Sequence, residues 1–251
     1  MNKTDILGVP FDVTTPEDAL ALLGEWVEEP RNHVIVTPNP EGVMLARRND
    51  AFANAIQTAD LSLADGTGVV LAAKLLKKPL KRRVRGTDIT FALFDSLDAK
   101  GKKFTAYFLG SKPDEGDTPS VAEMAKSRME TRYPNLSVKG FHHGYFASET
   151  ESEKAILDEI NQLSPDILLV CMGMPRQELW ATQHRNLNAR ITLCVGGTLD
   201  IMGGTVRRAP VIFQKCGLEW LYRLMCQPHR AKRMLDLPRF VAAVLKAAVL
   251  K

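Results

Sequence analysis

Asp65 stands where a carboxylate can do proton chemistry. The run LSLADGTG (61–68) sets it directly after an apolar, strand-like stretch and before a glycine-rich turn into a helix. A carboxylate so placed acts as a general base when it reaches an incoming hydroxyl, typically contributing about 10² to 10⁴ in rate. The same pattern suits a helix cap, because Asp is a favoured Ncap residue. In VTPNPE (36–41), Thr37 and Asn39 end a second apolar run with a hydroxyl and a carboxamide that can hold sugar hydroxyls or phosphate. Thr-Pro and Asn-Pro are also ordinary turn and cap sequences. KRRVRGTD (81–88) is a basic loop before a helix, and its guanidinium groups can clamp a diphosphate with paired hydrogen bonds or remain a solvated charged loop. In GMPRQE (173–178) a glycine turn opens a helix whose free N–H groups attract anions, and Gln177 and Glu178 lie in its first turn.

Chemistry at these positions requires elements that bring them together. Short β-branched runs at 33–36, 61–64, 104–109, 136–141, 167–171 and 191–195 alternate with helix-like segments at 51–59, 68–76, 121–132, 151–163 and 177–186. Ser120, or Thr118 with Pro119, starts the third of these helices. This alternation predicts an α/β fold, a mostly parallel sheet flanked by helices in a Rossmann-like manner. In such sheets the ligand crevice lies outside the carboxyl ends of the strands. The turns holding Thr37, Asn39, Asp65, Gly110, Gly173, Gly197 and Asp200 are thereby expected to converge, with Gly110, Gly173, Gly197 and Asp200 on the nucleotide side.

Several chemistries are disfavoured. The glycines at 66 and 68 lack the third glycine of a dinucleotide fingerprint, and no acidic residue ends a second strand about 20 residues later. That argues against a nicotinamide oxidoreductase. No phosphate loop, nucleophile elbow or D-x-D pair occurs. His142 and His143 are adjacent, so on a strand they face opposite ways, and no metal site is expected. If a nucleotide diphosphate leaves, arginines and helix N-termini must absorb its charge.

The net charge of +4 hides a division. From 207 to 251 there are ten Lys or Arg against Glu219 and Asp236, so this tail carries +8 and residues 1–206 carry −4. Trp220, Leu221, Leu224 and Met225 form one apolar stripe at helical spacing, and Phe240, Val241, Val244, Leu245 and Ala248 form another. Pro228 and Pro238 are expected to separate these helices. The domain reading is an α/β domain over 1–206 and a basic amphipathic appendage over 207–251. Such a tail favours phosphates, nucleic acid or an anionic membrane surface. Repeated aromatic platforms for single strands are missing, so a nucleic-acid-binding module is the weaker reading. The stripes also suit packing against a second copy of the chain. The N-terminus resembles no signal peptide, and no apolar stretch approaches the roughly 18 to 20 residues of a spanning helix, so a cytoplasmic location is expected. The four cysteines, without a C-x-x-C pair, are expected to be reduced and mostly buried.

Taken in order, VTPNPEGV, LSLADGTGVV, RVRGTD, GMPRQELW, VGGTLDIMGGTVRRAP and GLEWLYRLMCQPHR closely resemble the WecG/TagA/CpsF family of inverting glycosyltransferases. The resemblance runs from Val36 to about Arg233. It implies an α/β fold of the family's own type, a UDP-sugar donor, no cofactor and no required metal. The acceptor it implies is N-acetylglucosaminyl-diphosphoundecaprenol, and the sugar is N-acetylmannosamine, its uronic acid or occasionally another hexose. The family's proposed base matches Asp65, and its pocket polar residues match Thr37, Asn39, Arg83 and Gln177. Appendage arginines that close over the diphosphate map to Arg223, Arg230 and Arg233, on a tail that helps dock the enzyme on the inner face of the membrane. The chain departs from the family pattern at Leu199, where Phe often precedes the residue matching Asp200.

Overall fold

The computed structural model describes residues 2–80, 82–115, 118–210, 212–213, 217–226 and 234–250. Its strands are β1 (Lys3–Ile6), β2 (Val9–Asp12), β3 (His33–Val36), β4 (Leu61–Ser62), β5 (Phe104–Gly110), β6 (Leu136–His142), β7 (Ile167–Cys171) and β8 (Ile191–Cys194). The helices before the tail are α1 (Pro16–Trp26), α2 (Pro40–Ala46), α3 (Asp50–Thr58), α4 (Thr67–Leu75), α5 (Gly86–Ala99), α6 (Val121–Arg132), α7 (Glu151–Leu163), α8 (Arg176–Gln183) and α9 (Thr198–Gly203). In the tail lie α10 (Glu219–Cys226) and α11 (Asp236–Val249).

Six strands form one all-parallel sheet in the order β4-β3-β8-β7-β5-β6. Helices cover both faces, so the inner strands are buried throughout and read as unbroken apolar runs, as in ILLVC of β7. Alternation divides each strand between two cores. Val34, Val36, Leu168 and Val170 face α2, α3 and α8, while Ile35, Ile167 and Leu169 face α1, α5 and α6. The helices at 121–132 and 151–163 are found as expected, with Ser120 accepting the Glu123 N–H as Ncap. The other expected helices are found within a few residues of their predicted bounds.

Three helices lie outside that reading, α1, α2 and α9, while α5 is the helix expected after the basic loop 81–88. Of the turn and cap readings of 37–41 the cap is the one found: Asn39 caps α2, accepting the Gly42 N–H at 2.9 Å, and Pro40 takes N1, where no N–H is needed. The strand expected over 61–64 pairs only at Leu61 and Ser62. Its outer side is closed by the hairpin β1–β2, whose turn residues Leu7 and Gly8 both have positive φ, as a two-residue hairpin requires. Asp12, buried at the end of that hairpin, accepts the Ser62 N–H at 2.8 Å. Burial pushes its carboxyl above the usual range, against the opposing pull of that hydrogen bond and of Lys3.

Two expectations about the tail are corrected. Pro238 lies inside the first turn of α11, where its missing N–H removes no helix bond. Phe240 and Val244 of the second stripe are buried in the core against α2 and α4, so they are unavailable to a lipid surface. Cys171 and Cys194 are buried free thiols, the first pushed up to about 12 by burial, whereas Cys226 is exposed. Cys216 and Pro228 fall outside the described residues.

Candidate active site

At the carboxyl ends of β4, β3, β8 and β7, four strands adjacent in the sheet, lies a cavity of about 770 Å³. Thr37, Asn39, Asp65, Arg83, Gln177 and Gly197 all line it, as does Gly173. The helices α2, α4, α5, α8 and α9 start around this rim, turning their free N–H groups towards it.

Asp65 follows β4 by three residues, and its backbone N–H bonds the Pro38 carbonyl at 3.2 Å, tying it to the Thr37–Pro40 loop. The capping alternative does not hold: the Ncap of α4 is Gly66, and no side chain caps that helix. Gly66 adopts φ +95°, with Pro40 Cδ 3.2 Å from where a Cβ would sit. Only glycine takes that turn without strain, and it leaves the half-buried Asp65 on the cavity wall.

Thr37 donates its hydroxyl to the Cys194 carbonyl at 3.0 Å, bridging the ends of β3 and β8. Asn39 spends its carboxamide oxygen on the α2 cap, so what it offers a ligand is its NH2 group. Gln177, almost fully buried, has a positioning role that the sequence did not reveal. Its Oε1 accepts from the Gly173 N–H at 3.0 Å and the Gly196 N–H at 3.1 Å, and its Nε2 donates to Glu178 Oε1 at 2.8 Å. One amide thus locks the turns after β7 and β8 together. Neighbouring Arg176 points away, donating to the carbonyls of Gly144 and Phe146 and lying over the Phe146 ring.

The basic loop runs extended, so Val84 turns into the core while Arg83 and Arg85 share the opposite side and line the cavity. Arg83 donates to Thr67 Oγ1 at 2.8 Å and meets Glu219 at 3.4 Å. Arg85 pairs with the same Glu219 carboxylate at 3.0 Å and with Asp88 at 3.2 Å. Arg85 entered the sequence reading only as one guanidinium group of the basic loop, and Glu219 only as an acid of the tail. The i, i+2 spacing of R-V-R in an extended loop is the signal that finds Arg85, whereas Glu219 reaches the site only through tertiary packing of α10.

Two predicted nucleotide-side residues lie outside the cavity lining. Gly110 ends β5, one strand beyond the rim, and is a glycine because a Cβ there would stand 2.4 Å from the Cys171 carbonyl. Asp200 accepts the Ser111 hydroxyl across the start of α9. Of the appendage arginines, Arg230 and Arg233 fall outside the described residues, as does the side chain of Arg223 on α10. Among the described residues no group of three His, Cys, Asp or Glu side chains is placed to hold a metal ion, and no helix is long and apolar enough to cross a membrane.

The Asp65 carboxylate, the guanidinium groups of Arg83, Arg85, Arg207 and Arg208, and several helix N-termini around one strand-end cavity suit group transfer from an anionic donor to a hydroxyl. The chain belongs to the glycosyl transferase WecG/TagA/CpsF family, whose model matches residues 4–251, and is a glycosyltransferase. It is 35% identical over 248 residues to the N-acetylglucosaminyldiphosphoundecaprenol N-acetyl-beta-D-mannosaminyltransferase of Staphylococcus aureus strain MRSA252, covering 98% of this chain and 93% of that one. The protein of the same name from strain NCTC 8325 / PS 47 is equally similar, at 35% over 248 residues.

Proposed function

We propose that the protein transfers N-acetylmannosamine from a UDP donor to a polyprenyl-diphosphate-linked N-acetylglucosamine, with inversion at the anomeric carbon. In a single in-line displacement the acceptor hydroxyl oxygen bonds to the anomeric carbon as its proton passes to the Asp65 carboxylate. The bond from that carbon to the β-phosphate oxygen breaks on the opposite face, and UDP leaves with the electron pair. The observation that carries this reading is the placement of Asp65 on the wall of the same cavity as Arg83 and Arg85, in a chain 35% identical over 98% of its length to a named N-acetylmannosaminyltransferase.

Thr37 and the Asn39 NH2 orient sugar hydroxyls. The glycine turns held by Gln177 present N–H groups to the nucleotide side, with Gly110 and Asp200 supporting them from behind. Arg83 and the appendage arginines Arg223, Arg230 and Arg233 neutralise the diphosphate. No metal takes part, since guanidinium groups and helix N-termini carry the charge. The segment 207–251 acts as an appendage that docks on the inner face of the cell membrane, its basic residues towards anionic headgroups. Exposed Ile212, Trp220 and Met225 supply apolar contact there.

The test is UDP release from UDP-N-acetylmannosamine in the presence of a short-chain lipid-diphosphate N-acetylglucosamine, with and without EDTA. Acceptor-dependent release that survives chelation is the expected result. Release that requires a divalent ion removes the metal-free mechanism, and release only with another UDP-hexose replaces the donor.

A further inference from the structure

The cavity has a second wall that proton transfer and diphosphate binding do not use. Helix α4 is apolar on two sides: Val69 and Ala73 pack into the core, while Leu71 and Leu75 remain 61% and 48% exposed. Helix α11 touches α4 and repeats the arrangement, with Phe240 and Val244 in the core and Val241 and Leu245 exposed at 56% and 53%. All four exposed side chains line the same cavity as Asp65, Arg83 and Arg85. A second apolar face on a helix belongs in a core or against hydrocarbon, and among the described residues this one borders an open cleft. Large aliphatic side chains left exposed together in a concave wall mark a binding site.

We propose that this wall, formed by α4 and α11, seats the first isoprene units of the acceptor's polyprenyl chain, an inference that rests on the function proposed above. The argument is one of matched amphiphilicity. The cavity carries the guanidinium groups of Arg83, Arg85, Arg207 and Arg208, the first two sharing Glu219, and is aliphatic where Leu71, Leu75, Val241 and Leu245 line it, and a prenyl diphosphate carries the matching anionic and aliphatic characters joined by one bond. The wall is concave, so a flat bilayer surface cannot fill it, whereas a single chain drawn from the bilayer can. Its four exposed side chains are aliphatic, with the ring of buried Phe240 behind them, which suits branched hydrocarbon better than a stacked base. The acceptor is then held by its head and by its tail, and a chain too short to reach the wall forfeits the second part.

The proposal is tested by calorimetry on the full chain with two probes, farnesyl diphosphate (C15) and dimethylallyl diphosphate (C5). Each buried methylene contributes about 0.8 kcal/mol, so the wild-type protein should bind C15 at least about tenfold tighter than C5. In the double variant Leu71→Glu/Leu245→Glu, whose changes fall on exposed helical positions, that ratio should fall towards one. The neutral Leu71→Gln/Leu245→Gln pair should lower it less. Equal wild-type affinities for C15 and C5, or an unchanged ratio in both variants, overturns the proposal. So does a variant that loses binding to phosphatidylglycerol vesicles free of prenyl lipid yet keeps the ratio, which makes the wall a bilayer contact. A wild-type dimer that the variant converts to monomers, with no C15 preference, makes it a subunit interface and also overturns the proposal. A C15 preference lost in the variants, without sugar transfer from any UDP-hexose by the wild type, supports the seat and removes the proposed reaction. Transfer without chain-length preference does the reverse.

Discussion

The two walls of the cavity are built by different physics. The sheet-end wall is made of turns locked by short hydrogen bonds: Thr37 to Cys194, Asn39 to Gly42, and Gln177 to Gly173 and Gly196. The helical wall is held by apolar packing of Phe240 and Val244 and by one charge clamp. There Arg48 donates from both terminal nitrogens to buried Asp236, at 2.9 and 2.6 Å, joining α11 to the end of α2. The first arrangement fixes atoms for chemistry, and the second attaches a tail segment to the edge of a finished domain. Disturbing the first should therefore alter rate and global stability, and disturbing the second should alter acceptor use and local opening.

The largest effect is expected at Asp65. Asp65→Asn should lower turnover by about 10² to 10⁴ while UDP affinity by calorimetry stays nearly unchanged. A mutant with near-wild-type turnover would take Asp65 out of the role of base. Next comes Gln177→Ala, which leaves the Gly173 and Gly196 N–H groups without their shared acceptor. A loss of about 1 to 3 kcal/mol in unfolding free energy is expected from urea melts, together with weaker UDP binding. Unchanged UDP binding would confine Gln177 to a structural part.

Asn39→Ala removes the α2 cap and should destabilise by about 1 kcal/mol, with Asn39→Asp restoring stability but not sugar affinity. Recovery of both by Asp would mean that the carboxamide NH2 meets no ligand. The smallest and most local effect belongs to the helical wall. The Arg48 hydrogen bonds hold the Asp236 carboxyl below its ordinary 3.8, and Arg239 adds to them against the opposing effect of burial. A depressed folded value stabilises the docked helix above the unfolded value and loses that stabilisation as pH falls through the folded one. Hydrogen exchange across 236–249 should thus be insensitive to the clamp's protonation between pH 5 and 8 and accelerate below about pH 4. Arg48→Ala should speed exchange there at neutral pH and leave α6 unchanged, and equal acceleration in both would show that the two walls are not separable.

The strand–helix alternation, and with it the parallel sheet, could be read from the chain because strands buried on both faces must be short, apolar and β-branched. Asp65, Thr37, Asn39, Gln177 and Arg83 could be named because each stands at the end of such a run, where a turn into a helix exposes it. The helices α1, α2 and α9 escaped because proline, glycine and threonine at their starts read equally well as turns, and the local caps of α1 and α2, in which Thr15 accepts the Asp18 N–H and Asn39 the Gly42 N–H, use residue types that turns also favour.

What the sequence determined by itself was the set of turns that can carry chemistry, since local pattern fixes where a strand stops. Which of them meet was decided by strand order. Placing β4, β3, β8 and β7 side by side gathers Asp65, Thr37, Gly197 and Gly173, and putting β5 one strand further out leaves Gly110 off the rim. The double role of Gln177, the pairing of Glu219 with Arg83 and Arg85, and the turn of the α11 stripe towards core and cavity also come from the tertiary structure alone. Each depends on residues tens to hundreds of positions apart, whose approach no local periodicity encodes.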